Sequence, residues 1–216
     1  MDKKIVILFG KPGAGKGTRL SGFLEGRDDS FQVLSVGNLL RKARKEQTEL
    51  GKMAEVYMNK GVLVPDEIIN KLVIDEIKQS SKHLFLDGYP RTILQAEALL
   101  NSGVLPDIVV DFYVDDSVVI QRAKDRIVCV SCGEPFTIND FKPPKVAGVC
   151  DKCGNTLTRR ADDDEEVVKN RLKVYREETY PVLNFLIDNG IKTHTISTSG
   201  DLATKEFIQT MTTLIT

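Results

Sequence analysis

Residues Ile5–Thr18 read IVILFGKPGAGKGT, and this stretch decides the fold. Five apolar residues followed directly by a glycine-rich loop predict a buried strand that ends at the loop. The loop matches the pattern G-x-x-x-x-G-K, in which glycines let successive backbone N–H groups point at phosphate oxygens. Gly17 follows Lys16, so the hydroxyl comes one residue later than in a strict Walker A motif, at Thr18. Because a strand precedes the loop and a helix follows it, we predict nucleotide binding rather than an ordinary glycine-rich turn.

The rest of the chain alternates short apolar runs with segments of helical periodicity, which is typical of a parallel sheet covered by helices on both faces. The runs predict strands at Ile5–Phe9, Gln32–Val36, Leu84–Asp87, Ile108–Val114 and Thr193–Ile196. Helical spacing predicts helices at Ile68–Ile77 behind Pro65, at Leu94–Leu99, at Val168–Tyr175 and at Leu202–Met211. We therefore predict an α/β fold of the P-loop NTPase type, with a five-stranded parallel sheet flanked by helices.

The composition argues against several classes of protein. The 30 basic and 31 acidic residues give a formal charge of −1, whereas a dedicated nucleic-acid-binding protein normally has a basic excess. No run approaches the roughly 20 consecutive apolar residues of a membrane span. The apolar run at Ile5–Phe9 is also shorter than the apolar core of a signal peptide. We expect a cytoplasmic protein that binds neither membranes nor nucleic acid.

Four cysteines form two C-x-x-C pairs: Cys129, Cys132, Cys150 and Cys153. This spacing indicates a zinc site, because two thiolates separated by two residues can both reach one tetrahedral ion. Gly133 and Gly154 follow the two pairs directly, as expected where a tight turn presents sulfur atoms. Four thiolates leave no open coordination position, so we predict a structural zinc. Disulfides, a redox-active pair and free buried thiols are the alternatives, and a reducing compartment disfavours the first.

Two motifs together resemble those of the nucleoside monophosphate kinases. One is the Gly-Lys-Gly-Thr variant of the phosphate loop at Gly15–Thr18, and the other is LDGYPRT at Leu86–Thr92. From the first strand to the last helix, the chain is similar to the long, lid-bearing adenylate kinases, some of which carry zinc in the lid. The resemblance implies a core of residues 1–34, 65–124 and 164–216, a monophosphate-binding segment of residues 35–64 and a lid of residues 125–163.

The resemblance also assigns roles to individual residues. For the donor ATP it implies Gly13, Ala14, Gly15, Lys16, Gly17, Thr18, Arg122 and Arg126. For the acceptor AMP it implies Val36, Arg41, Val62, Val64, Gly88, Arg91, Gln95, Arg160 and Arg171. For catalysis it implies Lys16, Asp87, Arg91, Arg126, Arg160 and Arg171, with the carboxylate organising water around Mg²⁺.

Within these sets the implied tasks differ. Lys16 follows the transferring phosphoryl group, and Arg122 lies against the donor adenine. Arg41 and Arg91 hold the phosphate of AMP, whereas Gln95 reads its base. The remaining three arginines converge on the transferring group when the lid closes. A loosely matching segment at residues 197–200 would touch the donor base.

Physical chemistry supports this allocation independently of the resemblance. Phosphoryl transfer requires in-line positioning and positive charge around the equatorial oxygens of the transferring group. Arginine suits this task because its planar guanidinium binds two phosphate oxygens at once and stays charged. A closing lid also excludes water, which would otherwise compete as acceptor. Each of these arginines could instead be an ordinary surface residue with a solvated head.

Several positions depart from the pattern of the family. The family usually has Ser-Thr-Gly-Asp or similar where this chain has Ser35–Asn38, with the sequence SVGN. Val36 removes a hydroxyl that would face the acceptor base, and Asn38 removes a carboxylate near the Mg²⁺ hydration shell. Related pyrimidine monophosphate kinases have alanine at the position of Val36. Gln95 favours AMP, because its amide can pair with both a donor and an acceptor on adenine. Lys11 adds positive charge where a small residue is usual.

These observations predict a monomeric phosphotransferase with structural zinc that moves the γ-phosphoryl of ATP to AMP, reversibly and with Mg²⁺, giving two ADP. A kinase of UMP or CMP is the alternative within the same class. A nucleic-acid-binding ATPase with a zinc ribbon and an inactive nucleotide sensor are the alternatives outside it. His83 and His194 are expected to be packed or surface residues, because transfer between phosphates needs no general base. Asp162 and Asp163 are expected to organise arginines at the hinge of the lid.

Overall fold

The computed structural model describes residues 3–139, 142–198 and 202–215. Its strands are β1 Ile5–Gly10, β2 Phe31–Ser35, β3 His83–Asp87, β4 Ile108–Tyr113, β5 Arg126–Cys129, β6 Pro135–Thr137, β7 Leu157–Thr158 and β8 Thr193–Ser197. Its α-helices are α1 Lys16–Leu24, α2 Val36–Lys45, α3 Glu49–Lys60, α4 Asp66–Gln79, α5 Ile93–Asn101, α6 Asp116–Asp125, α7 Glu165–Val174, α8 Tyr180–Asp188 and α9 Leu202–Ile215. A 3₁₀ turn at Ala161–Asp163 precedes α7, and a π-helical segment at Tyr175–Thr179 joins α7 to α8.

The central sheet confirms the predicted architecture, with five parallel strands in the order β2-β3-β1-β4-β8. β1 pairs with β3, where Leu8 lies opposite Asp87, and on its other side with β4. Because β3 and β4 lie on opposite sides of β1, the connections that follow these strands diverge. A crevice therefore opens beyond the carboxyl ends of the strands. The phosphate loop after Gly10 and the carboxylate of Asp87 therefore meet at one edge of the sheet.

Two apolar cores lie on the two faces of this sheet. Along β1, Ile5, Ile7 and Phe9 pack into one core, and Val6 and Leu8 pack into the other. Side chains of α4, α5 and α8 close the first core, whereas those of α1, α6, α7 and α9 close the second. Because both faces are covered, the central strands are mostly apolar, with Asp111 of β4 as a buried exception. This rigid layer holds the crevice at its edge.

The predicted strands lie within one residue of the observed ones, and two details of the prediction, at Val36 and Leu94, are wrong. Val36 begins α2 instead of ending β2, because Ser35 is already the extended N-cap of that helix. The helix marked by Val168–Tyr175 is observed as α7, and the π-helical segment joins it to α8, where Pro181 lies in the first turn. Leu94 does not lie on the buried face of α5, since 63% of it is exposed.

Residues 35–64 form a helical hairpin that periodicity did not reveal. α2 carries a strongly basic last turn, and α3 starts where the Thr48 hydroxyl accepts a hydrogen bond from Gly51 N at 3.1 Å. The end of α3 contacts α7, because the Asn170 side-chain amide donates to the Lys60 carbonyl at 2.6 Å. The hairpin thus packs at the open edge of the sheet, beside the phosphate loop.

Between α6 and α7 the chain forms a small antiparallel sheet in the order β6-β5-β7. Among the described residues of this segment, its apolar core contains Phe136, Ile127 and Leu157 together with Cys129 and Cys150. This small sheet confirms that the segment is not a structureless linker. None of the helices within the described ranges is both long and apolar enough to cross a membrane.

Candidate active site

A cavity of about 720 Å³ opens at the carboxyl edge of the central sheet. The phosphate loop, the helical hairpin of residues 35–64, the small sheet and α7 all contribute to its walls. The sequence-predicted residues that line it are Gly13, Gly15, Lys16, Gly17, Thr18, Val36, Arg41, Val62, Val64, Asp87, Gly88, Arg91, Gln95, Arg122, Arg126, Arg160 and Arg171. Ala14 does not line it, because this side chain is fully buried against the second core. Neither histidine lines the cavity; His83 accepts a hydrogen bond from Lys4 N at 3.1 Å.

The phosphate loop has a backbone that only glycines adopt easily. Gly10, Gly13 and Gly15 have φ values of 123°, 82° and 85°, which lie in the left-handed region. The ammonium group of Lys16 folds back over the loop and donates to the carbonyls of Gly10, at 2.9 Å, and Lys11, at 3.0 Å. Removal from water lowers the pKa of Lys16 to about 8, against an opposing effect of the Asp87 carboxylate. A bound phosphate would relieve this unfavourable burial of charge.

Arg91 and Gln95 lie on the acceptor side of the cavity. The Arg91 Nε donates to the Gly88 carbonyl at 3.0 Å, and its backbone N–H donates to the Gln95 side-chain oxygen at 2.7 Å. Burial lowers the pKa of Arg91 to about 10, and nearby Arg171 lowers it further. Val36 is buried in the same wall, where it offers an apolar surface in place of a hydroxyl.

Arg41 reaches the cavity from α2. Its guanidinium donates to the Asn38 side-chain oxygen at 2.6 Å. Asn38 therefore holds an arginine, and its amide does not replace the missing carboxylate. Burial lowers the pKa of Arg41, although the Asp162 carboxylate opposes this shift.

Three arginines reach the cavity from β5, from the position before the 3₁₀ turn and from α7. Arg126 forms a two-pronged ion pair with Asp163, and Arg171 donates to Asp162 at 3.3 Å. Burial would raise the pKa of Asp162, but the surrounding arginines, first of all Arg171, hold it below its ordinary value. The two aspartates thus hold arginines, as predicted, whereas their place at a lid hinge stays a prediction.

Arg160 differs from its neighbours. Its backbone carbonyl accepts a hydrogen bond from Asp163 N at 3.2 Å, but its guanidinium makes no hydrogen bond or ion pair with any residue in the part of the chain that the structure describes. Burial lowers the pKa of Arg160 to about 9, and the positive charges of Arg126 and Arg41 lower it further. The carboxylates of Asp162 and Asp163 oppose this shift without forming an ion pair with Arg160, so its half-buried guanidinium would gain a direct partner if an anion entered.

The whole cavity is electrically unbalanced. Its described walls carry ten basic side chains, Lys16, Arg19, Arg41, Arg91, Arg122, Arg126, Lys142, Lys152, Arg160 and Arg171. Against them stand four acidic ones, Asp87, Asp125, Glu134 and Asp162. The arrangement suits a ligand with several negative charges, such as a polyphosphate.

The donor side contains an arginine that sequence reasoning missed. Arg19, in the first turn of α1, is only 2% exposed and donates to the carbonyls of Gly15 and Thr198, each at 3.3 Å. Arg122 donates to the same Thr198 carbonyl at 2.9 Å. Burial lowers the pKa of Arg19 to about 10, and the charge of Arg122 lowers it further. Its position directly after Thr18 was the available signal, but its partner lies 179 residues away. Residues 199 and 200 of the predicted donor-base segment lie outside the described residues.

The four cysteines meet at one point in the small sheet. Their sulfur atoms all lie within 4.8 Å of one another, with Cys129 to Cys153 at 3.4 Å and Cys132 to Cys150 at 3.6 Å. These distances are too long for S–S bonds. A tetrahedral ion with Zn–S bonds of about 2.3 Å sets its sulfur atoms about 3.8 Å apart, so the cluster fits zinc. The two turns that carry the cysteines lie next to strands of the small sheet. A redox-active pair would instead be expected at a strand–helix junction.

Comparisons with known proteins point to one family. The model of the family described as "Adenylate kinase" matches residues 8–191 of this chain. A protein named adenylate kinase from Clostridioides difficile (strain 630) is 45% identical over 192 residues, which cover 86% of this chain and 88% of that protein. Proteins of the same name from Caldicellulosiruptor saccharolyticus and Methanosarcina barkeri are 43% and 41% identical. Both alignments cover 86% of this chain, and they cover 88% and 87% of those proteins.

Proposed function

Because this chain belongs to the adenylate kinase family, we propose that it catalyses the reversible transfer of the γ-phosphoryl group of ATP to AMP, which gives two ADP. The observation that carries this proposal is the convergence of basic side chains from separate parts of the chain on one cavity. The proposal of a UMP or CMP kinase is not favoured by the family, and neither is a nucleic-acid-binding ATPase.

The phosphate loop would hold the donor. Its backbone N–H groups and the N-terminus of α1 suit the β-phosphate, and Lys16 would leave the carbonyls of Gly10 and Lys11 to follow the γ-phosphoryl group. Arg122 and Arg19 would close the donor side, since both contact the backbone of Thr198. Arg122 reaches the phosphate loop as well, at the Gly13 carbonyl.

The arginines would supply the stabilisation of the transition state. Arg41 and Arg91 would bind the phosphate of AMP, whose oxygen attacks without the help of a base. Arg126, Arg160 and Arg171 would surround the equatorial oxygens of the transferring group, where negative charge must be stabilised. The separation of these arginines between the lid and α7 explains why reaction would require a closed lid.

Two metals belong to this proposal. Mg²⁺, when bound with ATP, neutralises and orients the phosphates. Asp87 fits its hydration shell, because it lines the cavity beside Lys16 and its Oδ2 accepts one hydrogen bond from the Ser35 hydroxyl at 3.0 Å. Zinc held by the four cysteines would stabilise the lid, whose apolar core is too small to do so alone.

We further propose the division of the chain into moving parts. Residues 1–34, 65–124 and 164–216 would form the rigid core, whereas residues 35–64 and the lid of residues 125–163 would move during the reaction. A monomer in the cytoplasm that binds neither nucleic acid nor membranes agrees with the balanced formal charge of −1. Size-exclusion chromatography with light scattering measures the oligomeric state directly.

A coupled assay tests the reaction. Purified protein is mixed with ATP, Mg²⁺ and either AMP, CMP, UMP or GMP, and the ADP formed is measured. We expect rapid ADP formation with AMP and at least about 100-fold lower kcat/KM with UMP and GMP, because a site built to hydrogen-bond one base edge rejects bases without it. Absence of ADP formation from ATP and AMP would contradict the proposal.

A further inference from the structure

The side-chain amide of Gln95 is held from both ends by the protein. Its oxygen accepts a hydrogen bond from the Arg91 backbone N–H at 2.7 Å, and its nitrogen donates to the Asp66 carboxylate at 2.7 Å. The backbone N–H can only donate, and the ionised carboxylate can only accept. The two partners therefore specify which end of the amide is oxygen and which is nitrogen.

Asp66 is itself fixed in place. One of its oxygens accepts from the Gln95 amide, and the other accepts from the Thr92 hydroxyl at 2.9 Å. Thr92 also caps α5, because its hydroxyl oxygen accepts from the Gln95 backbone N–H at 3.1 Å. Asp66 begins α4 and does not line the cavity, whereas Gln95 does. Asp66 thus stands behind the residue that faces the ligand.

The held amide keeps a defined set of free groups. An amide oxygen has two lone pairs and an amide nitrogen has two N–H groups. One of each is used within the protein, so one lone pair and one N–H of Gln95 remain for a ligand in the cavity. This arrangement offers an acceptor and a donor in a fixed order.

We propose that Asp66 is a positioning residue that determines the specificity for the acceptor base, by fixing the orientation of the Gln95 amide. The inference rests on the proposed function, in which Gln95 faces the base of the acceptor. A base with an exocyclic amino group beside an unprotonated ring nitrogen matches the fixed order, as in adenine. A base with an exocyclic oxygen beside a ring N–H has the reverse order, as in hypoxanthine. AMP and IMP differ at these groups and are equal in size, so the pair isolates the effect.

Binding measurements on the full chain test this inference. The dissociation constants of AMP and IMP are measured by calorimetry for the wild type, Asp66→Ala and Asp66→Asn. Asp66→Ala should weaken AMP binding by about tenfold and reduce the preference for AMP over IMP by a similar factor, since one hydrogen bond that orients Gln95 is lost. Asp66→Asn should stay within about threefold of the wild type, because its amide oxygen can still accept from Gln95.

Glu67→Ala provides the matched control. Glu67 lies in the same first turn of α4 and is exposed, so its removal changes the charge of that turn without touching Gln95. It should leave both dissociation constants unchanged. The KM for ATP should also be unchanged in all variants, which a general disturbance of the fold would not allow.

If Asp66→Ala does not fold, Thr92→Val replaces it, with Thr92→Ser as its conservative partner. Loss of the Thr92 hydroxyl releases Asp66 and should lower the AMP preference, and the serine variant should restore it. An unchanged ratio of AMP to IMP affinity in folded Asp66→Ala or Thr92→Val overturns the inference. Equal losses of AMP affinity in Asp66→Ala and Asp66→Asn overturn the inference as well. Failure of the wild type to bind AMP at all would instead contradict the proposed function.

Discussion

The guanidinium of Arg171 on α7 donates to the Asp162 carboxylate at 3.3 Å, and this carboxylate is almost completely buried. The guanidinium of Arg41, from the hairpin of residues 35–64, lies 4.0 Å from the same oxygen. One carboxylate in the 3₁₀ turn before α7 therefore lies between α7 and the hairpin of residues 35–64. It also partly neutralises a group of arginines that would otherwise repel each other.

Replacement of Asp162 should expose this repulsion. Asp162→Ala should lower the free energy of unfolding by about 2 kcal/mol or more, because removal of one partner leaves buried charge uncompensated. Urea denaturation at pH 7 measures the change. Glu166→Ala, which removes an exposed carboxylate four residues along the chain, should cost less than about 0.5 kcal/mol.

Phosphate supplies a second readout for the same variant. An anion in the cavity replaces the lost negative charge, so added inorganic phosphate should stabilise Asp162→Ala more than the wild type. An equal response of both proteins would contradict the electrostatic explanation.

Arg160 and Arg159 offer a comparison of two neighbouring arginines. Arg159 is exposed, whereas Arg160 is half-buried and lines the cavity, and its guanidinium has no hydrogen-bond or ion-pair partner among the described residues. Arg160→Ala should lower kcat/KM by at least about 100-fold, the typical effect of removing a group that stabilises transition-state charge. Arg159→Ala should change it by less than about threefold.

The Arg160→Ala and Arg159→Ala variants also distinguish a functional role of Arg160 from a structural one. Because burial and like charges make Arg160 unfavourable in the free protein, its removal should leave the melting temperature unchanged or raise it. A marked loss of thermal stability in Arg160→Ala would show that this residue has a structural role instead.

The buried ammonium group of Lys16 should make ATP binding depend on pH. Its pKa is lowered by burial to about 8 from an ordinary 10.5, so the free enzyme loses this charge as the pH rises above 8. Bound phosphates favour the charged form, and ATP binding should therefore take up a proton above pH 8. The Kd for ATP should be flat below pH 8 and then rise by up to about tenfold per pH unit. Calorimetry in buffers of different ionisation enthalpy measures both the Kd and the proton uptake.

The lowered pKa of Lys16 also makes the stability of the folded protein depend on pH. The unfolded chain binds more protons than the folded protein between about pH 8 and 10.5, so the Lys16 contribution to stability rises with pH across that window. In Lys16→Met the pH dependence of the Kd for ATP and that of the stability should both disappear. If they persist, another titrating group causes them.

Removal of the metal should unfold the lid without destroying the core. Native protein should contain about one zinc ion per chain by elemental analysis, and Cys150→Ser should contain much less. The variant should melt at a lower temperature, because the apolar core of the lid is small, while activity at low temperature should fall less. Absence of zinc from the native protein would remove this account of the lid.

The predictable parts of the molecule are those encoded in local patterns. The phosphate loop and the cysteine pairs are contiguous motifs, and the parallel order of the strands brings Asp87 to the loop without further information. The arginines were predicted from resemblance and from the charge that phosphates require. Their convergence on one cavity follows from the fold.

The parts that were missed depend on contacts between distant residues. Arg19 looks like any helical arginine until the Thr198 carbonyl is placed beside it, and Asp66 looks like an exposed helix start until Gln95 reaches it. The helices of residues 35–64 were not predicted, although Val36, Leu39, Leu40 and Ala43 recur at helical spacing along α2. The π-helical segment at Tyr175–Thr179, which joins α7 to α8, is not indicated by hydrophobic periodicity alone.

The central claim is that arginines from separate parts of the chain gather around one phosphate bridge. A crystal structure with AMP and a non-hydrolysable ATP analogue tests it most directly. We predict that the guanidinium groups of Arg91, Arg126, Arg160 and Arg171 lie within hydrogen-bonding distance of the γ-phosphate or the AMP phosphate, with the lid closed over both. Guanidinium groups that point away from the phosphates in such a complex would contradict the account.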